Sequence, residues 1–361
     1  MDILMFFLSF VVILLGCELF TNGVEWIGKR FKLSEGCVGS LLAAVGTALP
    51  ETLIPIIAIL FVGGESGHEI GTGAILGAPF MLATLALFVC GISVFLFAKR
   101  RQTTTLNVNG QCIRRDLKFF LMAYTLAIIA ALAPPEFDWF KWVLGFALIP
   151  LYGVYIWYTY THGIGACAED EVKQLYTKKV VDRVKKRPET GFEDPIAGSF
   201  DLIRENEPST PLIFLQVAAA LGLIIIGANM FVEQIEAAAI ELGISTVILA
   251  LIITPIATEL PEKFNSFMWI RNRKDTFAIG NITGAMVFQS CIPVTIGILF
   301  TNWHLNLGNT PEMLQAVSIV IALFSGVVLY LESSHREIKK SGLFLGGVLY
   351  ALFVVLVIFS V

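Results

Sequence analysis

Ten apolar runs partition this chain, each close to or above the ~20 residues that a helix needs to cross a hydrocarbon core. They are 3–27, 36–62, 71–98, 117–133, 139–160, 211–236, 243–269, 276–300, 312–332 and 342–360. In lipid, backbone polar groups must be paired within a helix or inside a protein-lined cavity, so such runs fold as helices. Composition agrees: the chain is 56% hydrophobic and 15% charged, where a soluble globular chain has about 25% charged residues. A net charge of -4 gives no reason to expect a nucleic-acid partner. The first run lacks a basic leader and continues past the length of a signal sequence, so it reads as a retained span. The six cysteines form no CxxC pair and read as small buried hydrophobes.

The basic residues test the count of spans. If all ten runs cross, the loops after the odd-numbered runs share one side, and they hold 23 of the 25 Lys and Arg residues. Basic loops stay in the cytoplasm. The chain is therefore expected to be a multi-pass protein of the cell membrane with both termini outside. Residues 161–209 form a mixed-charge cytoplasmic linker between two halves, 1–160 and 210–361, with a short surface helix expected near 169–186. The loop FVGGESGHE, which carries His68 and Glu69, is placed outside.

Inside the second run stands AVGTALPETLIPII, residues 44–57. A proline and a carboxylate side by side are costly in a membrane helix. The pattern recurs as ATELPE at 257–262, offset by 211 residues from GTALPE at 46–51. The same offset pairs Gly16 with Gly227, Phe20 with Phe231, and Thr47 with Thr258. A second pair follows, GAILGAPFML at 73–82 and GNITGAMVFQ at 280–289, both with Gly-x-x-x-Gly-Ala. Five spans per half is an odd number, so the two halves run in opposite directions through the bilayer. Inverted repeats with interrupted helices mark secondary transporters.

The motif suits cation chemistry. Pro50 and Pro261 each remove the donor for the carbonyl four residues earlier, at Gly46 and Ala257. Thr47 and Thr258 add hydroxyls, and Glu51 and Glu262 lie one helical turn further on the same face. Carbonyl, hydroxyl and carboxylate oxygens are ligands for Ca2+ or Na+. Gly73 and Gly77, with Gly280 and Gly284, form small faces that permit close helix approach.

With these motifs the chain resembles the sodium/calcium exchanger family of Ca2+:cation antiporters. That family carries two inverted repeats, each with a Gly-Thr-Ser-Leu-Pro-Glu-like and a Gly-x-x-x-Gly-Ser-Asn-like motif. The resemblance implies an all-α integral membrane protein with ten transmembrane helices in two inverted five-helix repeats, interrupted at the cation site. It makes Glu51 and Glu262 the central metal-cation ligands, with Thr47, Thr258 and the carbonyls of Gly46 and Ala257 in flanking sites. Gln289 stands where the family has an Asn or Asp. Its counterpart in the first half is Leu82, and Ala78 and Ala285 replace small polar residues. The serine after the threonine is Ala48 in one half and Glu259 in the other, which adds a carboxylate to the cation-binding set. Lys263 is expected to snorkel toward the cytoplasmic face, since Arg271 lies only eight residues on; the alternative is a tethered ammonium that partly neutralises Glu259 or Glu262. Glu18 and Glu233 lie on the first and sixth spans, the family's sliding gate helices.

The implied activity is secondary antiport of Ca2+, or a related cation, against Na+ or H+. No enzyme and no resident cofactor are implied; the ligands are the transported cations. The implied partners are inorganic cations and the lipid bilayer, with a monomer as the working unit. The alternative is a non-transporting sensor or interaction protein on the same scaffold.

Overall fold

A computed structural model of the chain describes residues 2–30, 49–162, 175–178, 208–334 and 337–360. Twelve main helices account for almost all of its regular structure. They are α1 (Ile3–Arg30), α2 (Leu49–Ile57), α3 (Gly64–Met81), α4 (Leu87–Leu96), α5 (Gly110–Leu132) and α6 (Asp138–His162), followed by α7 (Thr210–Leu242), α8 (Thr246–Thr258), α9 (Leu260–Arg271), α10 (Asp275–Phe300), α11 (Thr310–Glu332) and α12 (Lys340–Ser360). A five-residue π turn, Ala58–Val62, extends α2, and another, Leu82–Ala86, joins α3 to α4. An antiparallel ribbon of β1 (Thr105–Asn107) and β2 (Glu337–Lys339) adds strands to an expected all-α fold.

Local chemistry sets the helix ends. Asp2 caps α1, its Oδ1 accepting from the amides of Leu4 at 2.9 Å and Met5 at 3.2 Å. Asn109 caps α5 in the same way through Gln111 and Cys112. Gly243 ends α7 with φ +66°, a conformation that only glycine adopts without strain. Gly63 and Gly64, at φ +63° and +69°, turn the chain directly from α2 into α3. His68 and Glu69 therefore sit on the first turns of α3 rather than in an external loop.

Seven helices among the described residues are long and apolar enough to cross a membrane. The other three expected spans take different forms. The run 36–62 is described only from Leu49. The run 243–269 is two helices, α8 and α9, that meet at Glu259. The run 117–133 belongs to α5, whose first turns carry Arg114, Arg115, Asp116 and Lys118. Of the expected surface helix near 169–186 only residues 175–178 are described. Leu175 there is buried with Trp26 and Ile213, and the Tyr176 hydroxyl donates to Glu18 Oε1 at 2.5 Å. That bond gives Glu18 a partner; Glu233 is exposed.

The helices pack as two bodies. α1 and α7 lie antiparallel: Asp2 bonds Gln234 at one end and Arg30 bonds Thr210 at the other. At their crossing, a Cβ on Gly16 would lie 2.7 Å from Ile224 Cγ1, and one on Gly227 would lie 2.8 Å from Ile13 Cγ1. Against α2, α3 and α8 this pair buries a second apolar cluster, which includes Ile54, Ile57, Ile70, Phe231 and Ala250. A larger cluster fills the space between α3, α4, α5, α6, α10, α11 and α12.

Buried charge holds the larger body together. Arg101 forks onto Asp275, with Nη1 to Oδ1 and Nη2 to Oδ2 both at 2.7 Å, and also donates to the carbonyls of Ile270 and Thr105. Asp275 Oδ2 accepts the Asn107 amide at 2.8 Å, which ties in the ribbon. Deeper in, Asp116 accepts from Arg115, from the Tyr155 hydroxyl at 3.2 Å and from Thr283 at 2.9 Å, so α5, α6 and α10 share one carboxylate. Removing one partner of a buried pair leaves an uncompensated charge, at a cost of ~3–5 kcal/mol. Arg101→Ala is accordingly expected to lower the unfolding temperature in detergent sharply. The double change Arg101→Met with Asp275→Leu, which removes both charges, recovers most of the loss.

Candidate cation site

The second motif shows how the sequence breaks its own helix. Pro261 has no N–H, so the Ala257 carbonyl loses its helical donor. The chain leaves the α conformation at Glu259, with φ -85° and ψ 8°, and restarts as α9. Glu262 stands in the first turn of α9 and is buried, 1% exposed. Thr258 is equally buried; its hydroxyl donates back to the Thr254 carbonyl at 3.1 Å, which leaves its oxygen lone pairs open. Ala257 lies within α8, one residue before Thr258.

The first motif places Glu51 in the first turn of α2, 3% exposed. Neither of its carboxylate oxygens meets a hydrogen-bond donor among the described residues. Thr47 and Gly46, the other expected ligands of this half, lie outside the described residues. Glu51 lies within electrostatic reach of Glu262, Glu259 and Lys263. Among the described residues no three Asp, Glu, His or Cys side chains are set closely enough to hold a metal ion by themselves. A cation held between Glu51 and Glu262 would therefore draw its remaining ligands from hydroxyls and main-chain carbonyls.

Prolines multiply those carbonyls. Pro55 removes the donor for the carbonyl of Glu51, and Pro293 does the same for Gln289. Gln289 is buried on α10, 1% exposed. Leu82, Ala78 and Ala285 are buried apolar positions, with Leu82 in the main core cluster. Thr254 was not expected at the site. It is buried with a hydroxyl that has no partner among the described residues, one turn before Thr258 on the same face. The spacing of four from Thr258 was the signal in the sequence.

Of the two expectations for Lys263, the geometry follows the tethered ammonium. It does not reach for the end of the helix; its Nζ lies 3.0 Å from Glu259 Oε2 and 3.3 Å from the Pro255 carbonyl. A helical side chain leans toward the N-terminus, over the preceding turn. Glu259 lies on that turn and is fully buried.

Glycines bring the helices into register. Gly73 packs on the Val247 carbonyl, with an added Cβ at 3.1 Å from that of Ala250, and Gly77 packs on the Leu251 carbonyl. Pro255 removes the helical donor of that same carbonyl, so the freed oxygen faces the α3 backbone. The second pair differs: a Cβ on Gly280 would meet nothing within 4 Å among the described residues, and Gly284 has only the Tyr155 hydroxyl near it, at 3.6 Å.

The sequence profile described as sodium/calcium exchanger protein matches residues 1–161 and 212–361, which is most of the chain. The chain belongs to the sodium/calcium exchanger family. It is a membrane protein of a family of transporters, not of enzymes, and that membership supports cation antiport. An uncharacterised membrane protein of Methanocaldococcus jannaschii is 23% identical over 339 residues, covering 93% of this chain and 91% of that protein. The inner membrane protein YrbG of Escherichia coli is 20% identical over 298 residues, covering 82% and 79%. The fold is shared with an H+/Ca2+ exchanger, CAX, at a TM-score of 0.63 and 16% identity over 99% of this chain and 86% of the other. It is also shared with the sodium-calcium exchanger NCX_Mj, at a TM-score of 0.54 and 19% identity over 97% of both chains.

The α3–α8 contact has no room for a side chain at Gly77. Gly77→Leu is expected to cost ~1–3 kcal/mol through overpacking, read as a lower unfolding temperature. Gly153→Ala, where an added Cβ meets nothing within 4 Å, leaves that temperature unchanged.

Proposed function

We propose that this protein is a secondary active antiporter that exchanges Ca2+, or a related cation, for Na+ or H+ by alternating access. The observation that carries the reading is the placement of two buried carboxylates, Glu51 and Glu262, within each other's electrostatic reach. Each sits in the first turn of a helix that begins in a Leu-Pro-Glu motif. Glu51 and Glu262 hold the central cation. Thr47, Thr258, Gly46 and Ala257 supply neutral oxygens, and Glu259 and Gln289 complete the set.

In this reading the chain crosses the membrane ten times, as two inverted five-helix repeats, 1–160 and 210–361, joined by the linker 161–209. The crossing of α1 and α7 supports the repeat: Gly16 meets Ile224, Gly227 meets Ile13, and the members of each equivalent pair are 211 residues apart. Reciprocal contacts of this kind are what a two-fold axis through the crossing produces. The basic residues of the odd-numbered loops put both termini outside the cytoplasm. The unit is a monomer in the cell membrane.

A second reading has its own observation. Leu82, Ala78 and Ala285 are apolar and buried at positions where the family has ligands, as expected if the scaffold binds a cation without moving it.

Transport in proteoliposomes separates the two. An outward Na+ or H+ gradient should drive uptake of radiolabelled Ca2+, and Glu51→Gln or Glu262→Gln should cut it by about tenfold or more, the effect of ~1.4 kcal/mol of lost affinity or greater. Uptake that ignores both gradients and survives Glu51→Gln would sink the antiporter. Saturable binding by calorimetry without any flux would establish the second reading.

A further inference from the structure

We propose that Lys263 is a tethered cation: its ammonium permanently fills a monovalent-cation subsite formed by the Glu259 carboxylate and the Pro255 carbonyl. The assignment rests on the antiporter reading and concerns one flank of the same site.

Four observations carry it. The first is burial. Glu259 is fully buried and Lys263 is 6% exposed, although both side chains are of the most strongly hydrated kind. The second is the ligand set. A carboxylate oxygen at 3.0 Å and a main-chain carbonyl at 3.3 Å surround the ammonium, and these are the oxygen types that bind a hard monovalent metal ion. The ammonium has three donors, so it can mimic such an ion across two or three ligands.

The third is the repeat. At the offset of 211, Glu259 corresponds to Ala48 and Lys263 to Thr52. The first half thus has neither charge, and the second half has both. An acid alone would add a negative charge that some mobile cation must always neutralise. An ammonium alone would repel the central cation. The fourth is the sum of charges. Glu51, Glu259 and Glu262 with Lys263 leave two negative charges, which one divalent or two monovalent cations balance. Glu259 also lies within electrostatic reach of Glu51 and of Tyr350 on α12.

A lysine that only neutralised a buried acid for stability would give the same distances, so the test counts ions rather than measuring stability. Radiolabelled Na+ is equilibrated with the purified full-length protein in alkaline buffer without divalent ions, and bound Na+ per chain is measured at saturation. Lys263→Met should bind one more Na+ than the wild type, because Glu259 and the Pro255 carbonyl become available. Adding Glu259→Gln to Lys263→Met should abolish that extra Na+, and Lys263→Arg should never acquire it. If Lys263→Met does not fold, Lys263→Gln, whose amide keeps a hydrogen bond to Glu259, carries the same expectation. An unchanged count in Lys263→Met or Lys263→Gln overturns the assignment, as does an extra Na+ that persists after Glu259→Gln. Ca2+ flux in proteoliposomes is followed alongside. An unchanged count in a protein that exchanges Ca2+ removes only the tethered cation, whereas a wild type that neither binds nor moves any cation removes the antiporter reading and the tethered cation with it.

Discussion

A carboxylate inside an apolar bundle is the constraint on which the rest of this structure turns. Taking such a charge out of water costs several kcal/mol per ion even after the protein relaxes. Glu51, Glu259 and Glu262 are all buried, so something must compensate each of them. For Glu259 it is the ammonium of Lys263. For Glu51 no hydrogen-bond donor is supplied among the described residues, and in the proposed antiporter the transported cation or a proton takes that part. The same logic separates these acids from Asp116 and Asp275. Those two are equally buried, but each is surrounded by several protein donors and is complete without any ion.

The prolines act on the same balance. One placed inside a helix costs about 3 kcal/mol where nothing recovers the lost bond. Here each of several prolines, Pro55, Pro255, Pro261 and Pro293, releases a carbonyl close to a residue of the site. The Leu251 oxygen released by Pro255 is met by the α3 backbone at Gly77. That close approach is available only to a residue without a Cβ, so Gly77 and Pro255 are two parts of one contact.

Much of this was legible in the sequence because membrane folding leaves few choices. Apolar length marked the helices, and proline positions marked the break at Glu259. Glu51 and Glu262 stood out because an acid is rare in such surroundings. What escaped were features decided by side-chain direction and short-range geometry. Lys263 had two readings, a reach for the helix end on the distance to Arg271 and a tethered ammonium at Glu259 or Glu262, and the lean of a helical side chain toward the N-terminus decides for Glu259. The start of α3 was placed too late because Gly63 and Gly64 turn within two residues what looked like a polar loop. The β1–β2 ribbon has three residues in each strand and no apolar period long enough to register. Thr254 looked like one more hydroxyl in an apolar run, and only its burial without a described partner draws attention to it.

The two bodies differ in the kind of force that holds them. The larger one is pinned by directional contacts: the Arg101–Asp275 fork, the three donors on Asp116 and the β1–β2 ribbon all fix geometry to within a hydrogen bond. The α1–α7 pair is internally tight, because two glycines on each other's isoleucines leave no slack at the crossing. Against α2 and α8 it presents Ile13, Ile224, Phe231 and Val232 to Ile54, Ile57 and Ala250, and apolar contact of this kind is non-directional. The hydrogen bond described between the pair and α3 is Ser66 to Glu236, at 2.8 Å. Sliding two packed bodies past one another is cheapest across a surface that gains nothing from a particular register. That surface lies next to α2, the helix that carries Glu51; in the antiport proposed above, a shift of the pair would change which side of the membrane reaches the carboxylates.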